Sequence, residues 1–312
     1  MRFKKPVADG RTTWSVAEEE TIRDLTKQGK TLKDMKHIFP KRSDTSIKNK
    51  IRKIRFKENN YGAEHRQEKY DLVAAWLEMT KPSVLFEGFA GEGNITSIYL
   101  EYNALKEIHA CEIKPKIFDT LVRNLERKFD LKFRQLKIKE IKVMYGVLDK
   151  KQIFLVNGDS QKWASHLYGK GKKFDFVDLD TCGTVLPGLQ NYIRIVNDNG
   201  FLAVTFGEFL SYRFGRKDAL IKSNPLLFEV FLRDPKSFKK ITLQQFYNRL
   251  IGWVCLLGSQ TIAYKELKLI KPKQEVVLGR KPRGVYRVLF DVKKSDSLAS
   301  ILNNASKYLK NA

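Results

Sequence analysis

Val84-Leu85-Phe86-Glu87-Gly88-Phe89-Ala90-Gly91-Glu92-Gly93-Asn94-Ile95 says more about the architecture of this chain than any other stretch. A short apolar run with strand character stops at an acid. It then passes through three glycines and enters a helix-like stretch from Asn94. Glycines at a strand-to-helix turn let the backbone approach a ligand closely, since no Cβ intervenes. The pattern continues downstream. Ile-His-Ala-Cys-Glu (108–112), Ile-Phe-Leu-Val-Asn-Gly-Asp (153–159) and Phe-Asp-Phe-Val-Asp-Leu-Asp (174–180) are each an apolar run that ends in a carboxylate. Four strands that each bring an acid to the C-terminal end predict an open α/β sheet, and that edge is where such sheets bind ligands.

Over roughly 70–292, this ordered set resembles the class I S-adenosylmethionine (SAM)-dependent methyltransferases, which implies a Rossmann-like α/β domain with SAM as cofactor. The resemblance places Glu87, Gly88, Phe89, Gly91, Gly93 and Asn94 in the cradle for the methionine end of SAM. It places Glu112 on the ribose hydroxyls and Asp159 on the adenine amine. A carboxylate suits the ribose because it accepts two hydrogen bonds at once. The competing dinucleotide-binding fingerprint, Gly-x-Gly-x-x-Gly, is absent: Gly91-Glu92-Gly93 is followed by Asn94-Ile95-Thr96.

Asp178-Leu179-Asp180-Thr181-Cys182-Gly183 follows the fourth strand. In amino-methyltransferases this place holds an Asp or Asn, two prolines and an aromatic. The loop is closer to that of the tRNA guanine-N2 methyltransferases, Asp-x-Asp-Pro-aromatic-Gly. Asp178, Asp180 and Gly183 match it; the proline and the aromatic are missing. The resemblance implies that Asp180, with Asp178, is the catalytic acid. A carboxylate that accepts the N–H of an exocyclic amine raises electron density on nitrogen and stabilises the charge that develops during transfer. Helix capping is the competing role for Asp180. Cys182 has the residue type of a cytosine-C5 nucleophile, but Thr181 precedes it where that motif has proline. A small buried loop residue is the favoured reading.

The 312 residues suffice for one sizeable α/β domain and a small companion. Lys and Arg outnumber Asp and Glu by 59 to 35, a formal charge of +24. That excess points to a polyanionic partner, nucleic acid first and an anionic membrane second. No run approaches the ~18 apolar residues of a membrane helix, and the N-terminus lacks a signal peptide's apolar run. Cys111, Cys182 and Cys255 form no Cys-x-x-Cys, and with four scattered histidines no metal site is expected. An intracellular, reducing location is expected, in the cytoplasm, nucleoid or nucleus.

Residues 14–57 follow a different pattern. Trp14-Ser15 precedes Glu18 and Glu19, acids that oppose the dipole of a first helix ending at Gly29. A second short helix is expected over 32–38 and is broken by Phe39-Pro40. A third begins near Asp44, with Ser43 as a cap and Ile47, Ile51 and Ile54 on one face. This all-α unit resembles a Myb/SANT-like DNA-binding domain through Trp14, Glu18, Glu19, Gly29 and the run from Phe39 to Lys50. The family's second tryptophan is missing, so Leu32 or Met35 must fill its space. On the face opposite the isoleucines, Lys48, Asn49, Arg52 and Lys53 have the chemistry to contact bases and phosphates.

The basic tail 1–13 precedes this unit, and a linker, 58–69, follows it. Helices are expected over 63–79, 116–128 and 243–257. Segment 132–142 is rich in Lys and Arg, and reads either as an insertion touching nucleic acid or as a solvated helix face. A fifth strand is expected over 200–206, and a closing antiparallel pair over 260–269 and 284–292. Residues 293–312 would be a terminal helix or tail. In 208–222, Phe209, Tyr212 and Phe214 alternate with Arg213, Arg216 and Lys217. Such interleaving suits an extruded base and its phosphates, or else inward packing of the rings. The expected function is SAM-dependent methylation of a base amine in nucleic acid. DNA comes first because of the N-terminal unit, and RNA is the alternative because of the loop. A third reading is a DNA-binding regulator with an inactive methyltransferase-like domain.

Overall fold

The computed structural model describes residues 14–28, 30–58, 61–138, 141–181, 183–208, 241–258, 267–278 and 285–310. The chain divides into two compact units, Met1–Gln67 and Glu68–Ala312.

In the first unit three helices form where local signals put them: α1 (Val16–Lys27), α2 (Leu32–Ile38) and α3 (Asp44–Glu58). Ser15 and Glu18 close a capping box on α1, and Thr31 and Asp34 close one on α2. Ser43 accepts the Ser46 N–H at 3.2 Å at the start of α3. Ile22, Met35, Phe39, Ile47, Ile51 and Ile54 make the core. Met35 is fully buried and Leu32 only partly, so the methionine takes the central place. Trp14 packs edge-on against Phe39 at 5.4 Å.

In the second unit the carboxyl part of α4 (Tyr61–Thr80) leads into β1 (Val84–Glu87). Then follow α5 (Asn94–Glu101), β2 (Glu107–Glu112), α6 (Pro115–Phe129), β3 (Arg134–Ile138), β4 (Ile141–Leu148), β5 (Lys151–Asn157) and α7 (Ser160–Gly169). The remaining described elements are β6 (Phe174–Leu179), a short 3-10 turn (Leu186–Gly188), α8 (Leu189–Ile195), β7 (Val196–Phe206), α9 (Leu243–Leu257), β8 (Leu267–Leu278), β9 (Val285–Ser295) and α10 (Leu298–Leu309). The strands form one sheet in the order β3-β4-β5-β2-β1-β6-β7-β9-β8. The middle five are parallel and the outer pairs antiparallel. Two apolar cores explain the three layers. One packs α4, α5 and α6 on one face, and the other packs α7, α8, α9 and α10 on the opposite face. Strands covered on both sides read as near-continuous apolar runs; β1 is one up to Glu87, whereas Asp175 and Asp178 interrupt the run in β6.

The structure departs from expectation at the periphery. Segment 132–142 is not a helix; it supplies β3 and the start of β4. β7 starts at Val196 rather than at Gly200, because pairing with β6 begins at Phe174↔Val196, shifts register, and resumes at Phe176↔Phe201. Of the expected strand over 260–269, residues 260–266 lie outside the described residues; β8 begins at Leu267 and runs on to Leu278. β9 continues to Ser295, and α10 is docked rather than a tail: a Cβ on Gly252 of α9 would stand 2.7 Å from the Leu309 side chain.

Candidate functional site

β5, β2, β1 and β6 are neighbours and parallel, so the four acids that end or follow them fall along one edge of the sheet. The glycine turn follows β1 and is tied to its two neighbours, β6 and β2. The Gly88 N–H donates to the Asp178 carbonyl at 2.8 Å, and the Ala90 N–H to that of Cys111 at 2.8 Å. A Cβ on Gly88 would meet Leu179 at 2.8 Å. Gly91 and Gly93 have φ of +56° and +88°, a region that side chains avoid. Gly93 ends the turn as the N-cap of α5, without a side chain to cap it. Asn94, exposed, is the first residue of that helix, and Phe89 is half-buried 6.4 Å from Tyr192.

Glu112 is tied to the turn. Its Oε2 accepts the Gly91 N–H at 3.1 Å and its Oε1 the Lys114 N–H at 2.7 Å. An ionised carboxylate has about four acceptor positions, so two remain for a diol. Asp159 caps α7, its Oδ1 accepting N–H groups from Gln161 at 2.8 Å and Lys162 at 3.4 Å.

Glu87, expected in the cradle for the methionine end of SAM, is held inside the fold. It is 1% exposed, and its Oε2 accepts the Thr96 hydroxyl at 2.6 Å. Burial pushes its carboxyl up to about 8, against the pull of the Thr96 hydrogen bond and with help from the charges of Asp178 and Asp180. Burial thus favours its protonated form at neutral pH. Between pH 4.5 and about 8 the folded state holds a proton that the unfolded state has lost. This contribution to stability is therefore complete at low pH and declines as pH rises through that window. Glu87→Gln keeps an acceptor for Thr96 and cannot ionise. Urea unfolding from pH 5 to 8 is expected to show a flatter pH dependence in this variant; an unaltered slope would contradict the assignment.

At the other end of the edge stand Asp178 and Asp180, and they are not equivalent. Asp178 is fully buried. One oxygen takes the guanidinium of Arg287, also fully buried, and the other the hydroxyl of Tyr99. Both oxygens are engaged inside the fold, which sets Asp178 apart from Asp180, with which the sequence reading grouped it. Arg287 lies over the Trp76 ring at 5.0 Å. Burial works against its cation, but Asp178 and Asp180 outweigh that and hold its pKa up. Asp180 stands just past β6, with 16% of its side chain exposed. Its Oδ1 accepts the Thr205 hydroxyl at 2.8 Å and its Oδ2 the Lys69 ammonium. Burial opposes its charge, yet Arg287 and Lys69 keep its pKa below the usual range.

Lys69, Tyr99, Thr205 and Arg287 were not foreseen. Arg287 left a trace, a lone cation in the apolar run Val285–Phe290. After Asp180, the Gly183 N–H donates to the Thr181 hydroxyl at 3.0 Å, and the Gly183 carbonyl lies so near Gly207 that a Cβ there would stand 2.2 Å away. Cys182 lies outside the described residues, as do Arg213 and Arg216.

In the first unit, Lys48 and Asn49 are exposed on α3; the side chains of Arg52 and Lys53 lie outside the described residues. Arg42 pairs with Glu18 at 2.6 Å and covers the Trp14 ring at 4.8 Å, while Lys50 pairs with Glu19. These two cations are used within the unit. Among the described residues, no group of three His, Cys, Asp or Glu could hold a metal, and no helix is long and apolar enough to cross a membrane.

No family model matches the sequence, and no curated protein matches it. Solved structures do. Trm1 from Pyrococcus horikoshii, in complex with SAM, overlays with a TM-score of 0.56 at 15% identity, over 76% of this chain and 56% of that one. TYW2 from M. jannaschii with AdoMet gives 0.42 at 14% identity, over 74% and 76%. The O-methyltransferase from Bacillus cereus with SAH gives 0.42 at 11%, over 72% and 80%. The chain thus spans little more than half the length of the Trm1 structure. Glycine turn, strand-end acids and sheet order together give this chain the fold of Trm1, a structure solved with SAM in place.

Proposed function

We propose that the second unit binds SAM and transfers its methyl group to an exocyclic amine of a nucleic-acid base. The observation that carries this is Glu112, which closes on the glycine turn through Gly91 with acceptor positions to spare. In this reading the turn holds the methionine end, Glu112 the ribose and Asp159 the adenine amine. SAM supplies the methyl group. Asp180 accepts an N–H of the substrate amine and stabilises the charge that develops on nitrogen. The net charge of +24 supports a polyanionic substrate. The Asp178-x-Asp180 … Gly183 loop favours RNA, while the Myb-like reading of the first unit favours DNA; the loop is nearer the chemistry, and we place RNA first.

Glu112→Ala is expected to weaken SAM binding by about 1.5–3 kcal/mol, the worth of hydrogen bonds to a charged group. Calorimetry on the folded variant reads this directly, and an unchanged affinity removes the cofactor assignment. Deleting residues 1–58 is expected to leave SAM binding intact, to weaken duplex DNA binding and to flatten its salt dependence, because fewer phosphate contacts release fewer counterions. Equal affinity and slope would show that the first unit does not read DNA.

The Lys69–Asp180 ion pair favours a second reading, a nucleic-acid-binding protein without transfer activity, because the ammonium already occupies the acid. Labelled-methyl incorporation into bulk tRNA and duplex DNA separates the two.

A further inference from the structure

The β3–β4 hairpin belongs neither to the cofactor edge nor to the reaction end. Its register fixes where it points. Lys142 pairs with Asn157 of β5, and Asn157 pairs with Glu112 of β2. The hairpin therefore turns at the edge of the sheet that carries the acids. Strands lie about 4.8 Å apart, so Lys142 is about 10 Å along that edge from Glu112, and about 19 Å from β6, which leads to Asp180.

Lys137 and Lys142 lie directly opposite each other. Like charges so placed destabilise a sheet. Their face of the hairpin looks toward α6: the Lys142 ammonium is 5.3 Å from the Phe118 ring centre and 3.4 Å from Asp119. Between them runs an open groove of about 560 Å³, with Val122 and Met144 in it and Lys116, Arg123 and Lys142 around it. Lys116 and Arg123 are both exposed and seven residues apart, hence on one side of α6 and about 10 Å from each other. Asp119 is the one acid of the lining.

We propose that this groove is a docking track for the phosphodiester backbone of the nucleic-acid substrate. The inference rests on the function proposed above. Three cations around a narrow floor, with the first near the cofactor edge, fit a chain of regularly spaced anions. The distance to β6 means that a strand in the groove presents a base to Asp180 only from about five or six rises away, at 3.4 Å each. The substrate is thus a polymer rather than a nucleoside.

The test uses the full chain and its triple variant Lys116→Gln/Arg123→Gln/Lys142→Gln. Binding of a labelled 20-mer is measured from 50 to 200 mM salt, as single-stranded RNA, single-stranded DNA and duplex DNA. Loss of three phosphate contacts is expected to reduce the slope of log K against log salt by about 2 for single strands and 2.7 for duplex. SAM affinity should stay unchanged, which also reports folding. Asp119→Asn should tighten binding. Slopes and affinities unchanged on all three polymers would overturn the proposal. If the wild type binds through the groove and transfers no methyl group, the function falls and the groove stands. If it transfers methyl and the triple variant binds as the wild type does, the groove falls alone.

Discussion

Asp180→Ala is expected to slow methyl transfer by about 10²–10³-fold while leaving SAM and nucleic-acid affinity near wild type. The carboxylate interacts most strongly with the amine as nitrogen becomes positive, so its loss falls on the transition state. The structure adds a companion test. Arg287 and Lys69 hold Asp180 ionised against the cost of burial. Removing the ammonium in Lys69→Met takes away one of these cations and should raise the pKa of Asp180. A rate that needs the ionised acid then gains its acid limb at a higher pH. Cys182→Ala should remain active, since attack by an amine needs no thiolate. Single-turnover assays with labelled SAM on tRNA and DNA decide among these. An active Asp180→Ala with an inactive Cys182→Ala would replace the amine mechanism with attack on a ring carbon.

Arg287→Met should be the most destabilising single change in the second unit. It removes the cation from Asp178 at a place where both side chains are fully buried. Leaving one member of a buried pair uncompensated costs about 3–5 kcal/mol. Replacing both, in Arg287→Met with Asp178→Asn, should recover part of this loss, because no unpaired charge then remains. Urea unfolding midpoints measure both variants. A loss below about 1 kcal/mol for the single variant would mean that the pair is not the electrostatic anchor the geometry indicates.

Much of the fold was legible because its signals are local. The Ser43 cap, the isoleucines of α3 and the limits of α9 all depend on neighbours within a turn or two. The helix alternative for 132–142 fails, because lysine density is compatible with a helix face and with a hairpin near the sheet edge alike. Only pairing with β5, a contact made by no neighbour in sequence, shows it to be part of the sheet. The expected start of β7 missed for a related reason: its pairing passes through a register shift against β6.

The sequence by itself determined that acids follow successive buried strands with a glycine turn after the first. Strand character, chain direction and turn chemistry are written in adjacent residues. Tertiary structure alone decided what each acid can do. Glu87, Asp178 and Asp180 look alike in sequence, yet one is pushed toward its protonated form by burial, one is sealed by Arg287 and Tyr99, and one stands at the edge between Thr205 and Lys69. A carboxylate's charge and reach are set by burial and by the groups within a few ångströms. Here those groups come from α4, α5, β7 and β9, which only the folded sheet brings together.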